Sequence, residues 1–483
     1  MPEHEDKEGI QQRRRVTALI AAFLLLFGLH FAPPLAGLKP QGQTVLGVFL
    51  WFIVCMIFDA LPKAVIGLGA PMLVVVLARF KIADAFSAFT GNEFFLAAGA
   101  FVYAAIMMGT PLGRRIALGI TNALRSTRAT RILLGLSLSD VAIGGVLPTV
   151  SETALFLPIA QGVTSLMRGK EDLPESRRIR TALLLTITGL VPLFTGPLIL
   201  TSHFPNIMLV GNLADTQHIY LSWADWFLLN LPLWGLLPIL YFYVVRYFRL
   251  SGLEIPGADV ELPKMKKELG RITWPEIWAL ACLSLGLFLW ITEGTLHSVK
   301  TGMVALIVVM LAFLPFGRLN FDQISRYIMW DVWVLLGGAI SLGDVLYKSG
   351  VAGWLSGFVV NPLKAAGALP PLVVLVILVF GFHIARAGIV SAVATGAVFI
   401  PLTIGIAKQL GFSVLPFALI TINCLSYAFF LPISITAFLI AWGASGTSGW
   451  EAIKFGVPLS IIANLYVIFV QSGWLALLGY PLR

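Results

Sequence analysis

Long apolar runs separated by short polar joints set the pattern of this chain. The runs occupy residues 17–37, 44–61, 64–79, 93–110, 182–212, 223–245, 276–292, 302–316, 328–347, 371–390, 412–442 and 455–478. A helix needs about 20 mostly apolar residues to cross a bilayer core, and these runs are of that order. Several carry Pro or Gly interruptions, so they predict about eleven transmembrane helices together with two re-entrant hairpins. The expected fold is an all-α polytopic membrane protein with the hairpins arranged in an inverted repeat.

Two segments interrupt the apolar pattern in the same way. One reads Pro148-Thr149-Val150-Ser151-Glu152-Thr153-Ala154-Leu155-Phe156-Leu157-Pro158-Ile159 and the other Ser391-Ala392-Val393-Ala394-Thr395-Gly396-Ala397-Val398-Phe399-Ile400-Pro401-Leu402. Each puts small and hydroxylated residues ten positions ahead of a hydrophobic-Pro-hydrophobic step. Unpaired backbone cannot face lipid, so such runs line a cavity or are buried in protein. Two of them at matching places in two halves point to a secondary transporter with its site near the bilayer midplane.

The order of segments supports that duplication. Residues 1–15 are polar and read as a disordered cytoplasmic tail, and 16–90 as leading scaffold spans. Residues 91–250 form a first repeat with a hairpin near 132–167 and a break near Ser202-His203-Phe204-Pro205-Asn206. A charged cytoplasmic linker (251–275) and two connecting spans (276–316) follow. Residues 317–483 form a second repeat with a hairpin near 371–408 and a break near Pro432-Ile433-Ser434-Ile435-Thr436. An odd number of spans between the halves inverts one against the other. Inverted repeats give alternating access by moving one packed unit against another around a fixed site.

Composition agrees with a bilayer setting. Charged residues make up 12% and hydrophobic residues 58% of the chain, against roughly 25% charged in soluble domains. The net charge of +9 does not signal nucleic acid, because its basic residues gather in short joints: Arg13 to Arg15, Arg114 to Arg131, Arg168 to Arg180 and Arg246 to Lys267. Excess Lys and Arg marks cytoplasmic loops, which predicts a cytoplasmic N-terminus in a multi-pass protein of the bacterial inner membrane. The first run has no cleavage pattern after it and reads as a retained span. Cys55, Cys282 and Cys424 lie in apolar runs without metal-type spacing and read as buried thiols. Trp223 with Trp226, and Trp442 with Trp450, read as interfacial belts.

The landmarks taken in order resemble the divalent anion/sodium symporter family, transporters of dicarboxylates, citrate and sulfate. Gly113-Arg114-Arg115-Ile116-Ala117-Leu118 is similar to that family's first interfacial helix. Trp330-Asp331-Val332-Trp333-Val334-Leu335-Leu336-Gly337-Gly338-Ala339, followed by Ser349-Gly350-Val351-Ala352-Gly353-Trp354-Leu355, is similar to the start of its second half. The resemblance runs from about residue 45 to the end. It implies a homodimer, with two Ser-Asn-Thr hairpin tips and two Thr-Pro-Pro-Asn-like breaks binding sodium and carboxylates. This chain departs at all four places: the tips read Pro148-Thr149-Val150 and Ser391-Ala392-Val393, and the breaks His203-Phe204-Pro205-Asn206 and Ile435-Thr436-Ala437-Phe438. The lost Asn side chains would have offered amide donors to a carboxylate and a carbonyl oxygen to a cation.

Candidate substrate contacts are therefore Thr149, Val150, Ser151, Asn206, Arg386, Ser391, Ala392, Val393, Thr395 and Thr436. Candidates for ion coupling are Ser151, Glu152, Thr153, Ser202, His203, Ser391 and Ser434. Glu152 is an intramembrane carboxylate, a costly group that faces a cavity or a partner; the plainer alternative is a hairpin cap or a pair with an Arg. Arg386 is the only Lys or Arg in its run and has the fork that holds a carboxylate or sulfonate; it is equally suited to pair with Glu152. His203 titrates near working pH when unperturbed, although a lone His is more often structural. Each hydroxyl has the alternative of bonding back to a helix carbonyl. Asp140 reads as a hairpin-entry residue.

The function expected is secondary active transport of a small carboxylate, sulfonate or sulfate, coupled to sodium or protons, with uncoupled exchange as the alternative. No cofactor is expected beyond sodium ions in a coupling role, and the partners are the anion, the bilayer and a second copy of the chain. A passive channel would show a continuous polar stripe, and an intramembrane enzyme a nucleophile–base pair or metal-ligand set; neither pattern is present. Nor is a phosphate-cradling Gly-rich motif of ATP-driven transport.

Overall fold

The computed structural model describes residues 2–145, 147–167 and 173–483, with backbone alone for residues 2–8. Arg168, the first residue of one expected basic cluster, lies outside the described residues. The described chain is helical, with no extended strand. Among the described residues, eight helices are long and apolar enough to span a bilayer, and a pair bent by 55°, Trp223–Leu229 with Leu231–Tyr247, makes a ninth candidate. One of the eight, Ala392–Leu410, is a hairpin arm. The shorter helices Lys63–Ala78 and Thr301–Ala312, and the interrupted pair Val414–Ser426 and Thr436–Ser445, complete eleven crossings beside two hairpins.

The two halves repeat one order of elements. In the first, the span Asn92–Gly109 leads to the amphipathic helix Leu112–Ala123, then to the hairpin arms Ala129–Gly144 and Thr149–Ser165. A broken span from Pro174 to Gln217 and the bent span follow. In the second, Trp330–Lys348 leads to Val351–Ala365, the hairpin arms Pro371–Ala385 and Ala392–Leu410, a broken span from Val414 to Ser445 and a final span from Gly449.

Local chemistry explains the interruptions. Pro192, Pro197 and Pro205 each lack an N–H, and Gly196 precedes one of them, so no regular ladder crosses this stretch. The chain passes from α-helix through a π-turn (Thr186–Leu190) and two short 3₁₀ turns before the helix restarts at Phe204. In the second half Pro432 sits within the irregular stretch between Ser426 and Thr436.

Small residues bring spans together. A side chain on Gly338 would collide with the backbone of Gly67, and one on Gly99 with Ala305. The helices Trp330–Lys348 and Lys63–Ala78 therefore touch backbone to backbone, the usual means of tight packing where lipid supplies no hydrophobic drive. Asn230, Asn423 and Gln471, all fully buried, form a polar knot. The Asn423 amide donates to Asn230 Oδ1 at 2.6 Å and to Gln471 Oε1 at 3.1 Å, and Gln471 donates to Asn230 Oδ1 at 2.9 Å. This knot joins the first half's bent span to two spans of the second.

Two expectations are corrected. The first helix runs Pro2–Phe31, so residues 2–15 extend the first span in place of a disordered tail. Trp223 and Trp226 are not an interfacial belt: both are buried, and Trp226 Nε1 donates to the carbonyl of Pro197 at 3.0 Å. Trp226 thereby supports the first break.

Candidate functional site

A cavity of about 350 Å³ collects residues from both hairpins and both breaks. Thr149 and Val150 come from the first tip, and Ser391, Ala392 and Val393 from the second. Ser202, His203 and Phe204 come from the first break, and Ile435, Thr436 and Ala437 from the second. The leading spans add Met56, Ile57, Asp59 and Lys63, and the second half's first span adds Val332 and Leu335.

The geometry of these residues has a common cause. Four helices begin at the cavity: Thr149–Ser165, Phe204–Gln217, Ala392–Leu410 and Thr436–Ser445. A fifth, Lys63–Ala78, starts at its edge. First-turn N–H groups have no partner within their own helix, and a helix start carries partial positive charge. Only the helix at Ala392 has a side-chain cap, Ser391 Oγ accepting from Ala394 N at 3.3 Å. The other four starts have none. Their free donors and dipoles favour an anion.

Each tip is clasped by its own break. Ser202 Oγ donates to the carbonyl of Gly144, Thr201 Oγ1 to Gly145 O at 3.3 Å, and Thr149 Oγ1 to Ser202 O at 2.9 Å. Asn206 faces inward, its amide donating to Gly196 O at 2.8 Å and Ile199 O at 3.0 Å, which stitches the broken turn. In the second half Thr436 Oγ1 donates to Val390 O at 3.4 Å. Several lining hydroxyls are thus engaged with backbone carbonyls.

Behind the first tip lie two acids. Asp140 and Glu152, on opposite arms of the hairpin, are both fully buried. Their carboxyls are neighbours across the hairpin. The Thr195 hydroxyl lies beside Glu152 but is turned to the carbonyls of Val191 and Pro192 at 3.0 and 3.1 Å, which leaves the four carboxyl oxygens without a partner among the described residues. Gly144 makes room for the pair, since a Cβ there would sit 2.5 Å from Glu152 Oε1. Behind the second tip lies a base. Arg386 is 3% exposed and donates through Nη1 to Leu425 O and through Nη2 to Ser434 O at 3.1 Å. Glu152 and Arg386 form no ion pair. His203 shares its Nδ1 with Ser426 Oγ at 3.2 Å, and His383 pairs through Nε2 with Asn464 Oδ1 at 3.1 Å.

Of the residues singled out from sequence, Thr149, Val150, Ser202, His203, Ser391, Ala392, Val393 and Thr436 meet at the cavity. Ser151, Glu152, Thr153, Asn206 and Ser434 are buried outside its lining. Thr153 and Thr395 bond back to the carbonyls of Thr149 and Ser391, both at 3.0 Å. Arg386 and Thr395 border a second space of about 10 Å³, room for a single water, which shares His203, Ala392 and Ile435 with the main cavity. Sequence reasoning missed Asp59 and Lys63, which stand in a short polar joint far along the chain from either tip. It also missed the partnership of Asp140 with Glu152, although a 12-residue separation across a Gly144-Gly145 turn is the signal that faces two arms.

Known proteins agree with this architecture. The chain is 27% identical to the sodium-dependent dicarboxylate transporter SdcS of Staphylococcus saprophyticus, over 90% of this chain and 86% of that protein. It is 26% identical to the SdcS protein of Staphylococcus aureus strain USA300, over 96% and 92%. A membrane protein of Cupriavidus necator is 26% identical over 95% and 91%. Among solved structures the YdaH transporter of Alcanivorax borkumensis superposes with a TM-score of 0.53 at 14% identity, over 90% of this chain and 99% of that one, a likeness of fold. Residues 13–480 match the family described as the sodium:sulfate symporter transmembrane region. With its apolar spans and its cavity ringed by helix starts, the chain belongs to that family of multi-pass membrane transporters and is not an enzyme.

Proposed function

We propose that this protein is a secondary active transporter that carries a small carboxylate, sulfonate or sulfate by alternating access between inverted repeats. The observation that supports this most is the convergence of four helix starts, from two tips and two breaks, on one cavity of about 350 Å³. That volume suits a small ligand, and the free N–H donors suit its negative charge. The bound anion is held chiefly by backbone donors, because Ser202 and Thr436 already donate to tip carbonyls. Lys63 supplies a cation at the edge.

The cavity lining reaches the joint at Asp59 and Lys63, on the side of the molecule where the first helix begins, since Arg14 lies over the ring of Phe58. The basic joints share that side by the alternation of spans, and basic joints are cytoplasmic. We therefore read the conformation as open to the cytoplasm, in a bacterial cell membrane and in a homodimer as the family resemblance implies.

The coupling ion is sodium or a proton. Sodium is named for the family and for the SdcS relatives. Two ionised carboxylates in contact away from water repel strongly, so Asp140 and Glu152 are suited to hold a proton between them. Engagement of the lining hydroxyls with carbonyls favours a second reading, anion exchange without a coupling cation. Uptake of labelled succinate, sulfate and a sulfonate into proteoliposomes, under separate sodium and pH gradients, tests the proposal. Saturable uptake accelerated by one gradient is expected. Saturable uptake that needs only a counter-anion establishes exchange, and linear, non-saturating flux would make the protein a channel.

A further inference from the structure

The second break holds a positive charge that belongs to the chain itself. Arg386 sits where the first hairpin arm of the second half ends, and its guanidinium points into the irregular stretch between Ser426 and Thr436. Its Nη1 and Nη2 groups are bound by the carbonyls of Leu425 and Ser434, which bracket that stretch. Leu425 O lies in the last turn of its helix, the end that favours a cation. Nε has no partner, and no carboxylate reaches the group among the described residues. A buried cation with no counter-ion is costly. The first break carries no such cation; two acids lie behind its tip instead.

The water-sized space beside Arg386 shares three residues, His203, Ala392 and Ile435, with the main cavity. One layer of side chains therefore separates the guanidinium from the anion's place. In a low-dielectric setting, opposite charges act strongly across such a layer. We propose that Arg386 is a resident cation whose missing counter-ion is the transported anion, held at the second break by two carbonyls so that its charge acts on the anion without touching it. This rests on the transporter reading above and specifies how the second half contributes charge. Arg386 is thus a positioning and charge-supplying residue, not a direct ligand of the anion.

The charge and the hydrogen bonds of Arg386 are separable. In proteoliposomes containing the full chain, uptake of labelled succinate and sulfate would be compared for wild type, Arg386→Lys, Arg386→Gln and Arg386→Ala. Thermal stabilisation of the purified variants by the same anions would be measured alongside. Arg386→Lys keeps the charge, and we expect it to retain uptake with a raised KM. Arg386→Gln keeps donors but not charge and is expected to lose about tenfold or more of anion-dependent uptake and stabilisation. Guanidinium ion added to Arg386→Ala should restore both. Wild-type behaviour of Arg386→Gln would overturn the proposal, since hydrogen bonding would then suffice. So would equal loss in the Lys and Gln variants with no rescue of the Ala variant by guanidinium. Failure of the wild type to bind or move any of the anions would instead strike at the transporter reading itself.

Discussion

Glu152 shows how much a single side chain in this protein depends on what lies opposite it. Its carboxyl has no cation to meet it among the described residues; its neighbour is Asp140, and the room for both comes from the missing side chain of Gly144. If the pair carries the coupling proton, Glu152→Gln removes one of two groups that share it while preserving shape. We expect that variant to lose at least about tenfold of pH-gradient-driven anion uptake, while exchange of labelled for unlabelled anion persists. Gradient-driven uptake at the wild-type rate would place the coupling elsewhere. The cavity-facing residues depend less on their side chains. Val150, Ala392 and Val393 offer nothing polar, yet each stands in the first turn of a helix that begins at the cavity.

At the scale of elements, the broken spans and hairpins are held by contacts between parts distant in the chain. Asn464 donates to the carbonyls of Tyr427 at 3.2 Å and Ser460 at 2.7 Å, fastening the second break to the last span. Trp226 does similar work for the first. The amphipathic helix Leu112–Ala123 is tied to the linker and the following span through Arg115. Its Nε meets Glu276 Oε2 at 2.6 Å, and its other nitrogens donate to the carbonyls of Leu269, Gly270 and Arg271. Glu276 is fully buried and Arg115 is 16% exposed. Arg115→Ala would leave that carboxylate without its cation, at a cost of about 3 kcal/mol. Thermal unfolding of the detergent-solubilised protein should show a lowered midpoint. An unchanged midpoint would mean that the Thr273 cap alone satisfies Glu276.

At the scale of the whole molecule, one cavity is shared by both halves and by the leading spans, so access to it reports the state of the entire assembly. Cys55, Cys282 and Cys424 are buried and leave a quiet background for labelling. A cysteine placed at Ala392, which lines the cavity and is half-buried, should react with a membrane-impermeant thiol reagent added on the cytoplasmic side, and a transported anion should slow that reaction several-fold. Labelling from the opposite face alone would reverse the assigned orientation. The hydrophobic spacing by itself determined the class of the protein, the eleven crossings, the two hairpins and the places of both breaks, because a bilayer forces apolar length and internally bonded backbone onto any chain that spans it. Together with the family resemblance it brought forward Thr149, His203, Ser391 and Thr436 as candidates, because polar groups at membrane depth are costly, and these four residues line one cavity. Sequence did not reveal that Arg386 turns to carbonyls of the second break, that Asn206 stitches the first, or that Lys63 joins the cavity. Those outcomes depend on which helix ends meet in space, and the meeting is decided by close crossings such as Gly67 on Gly338. A side chain's partners are fixed by packing between segments hundreds of residues apart, which no local pattern encodes.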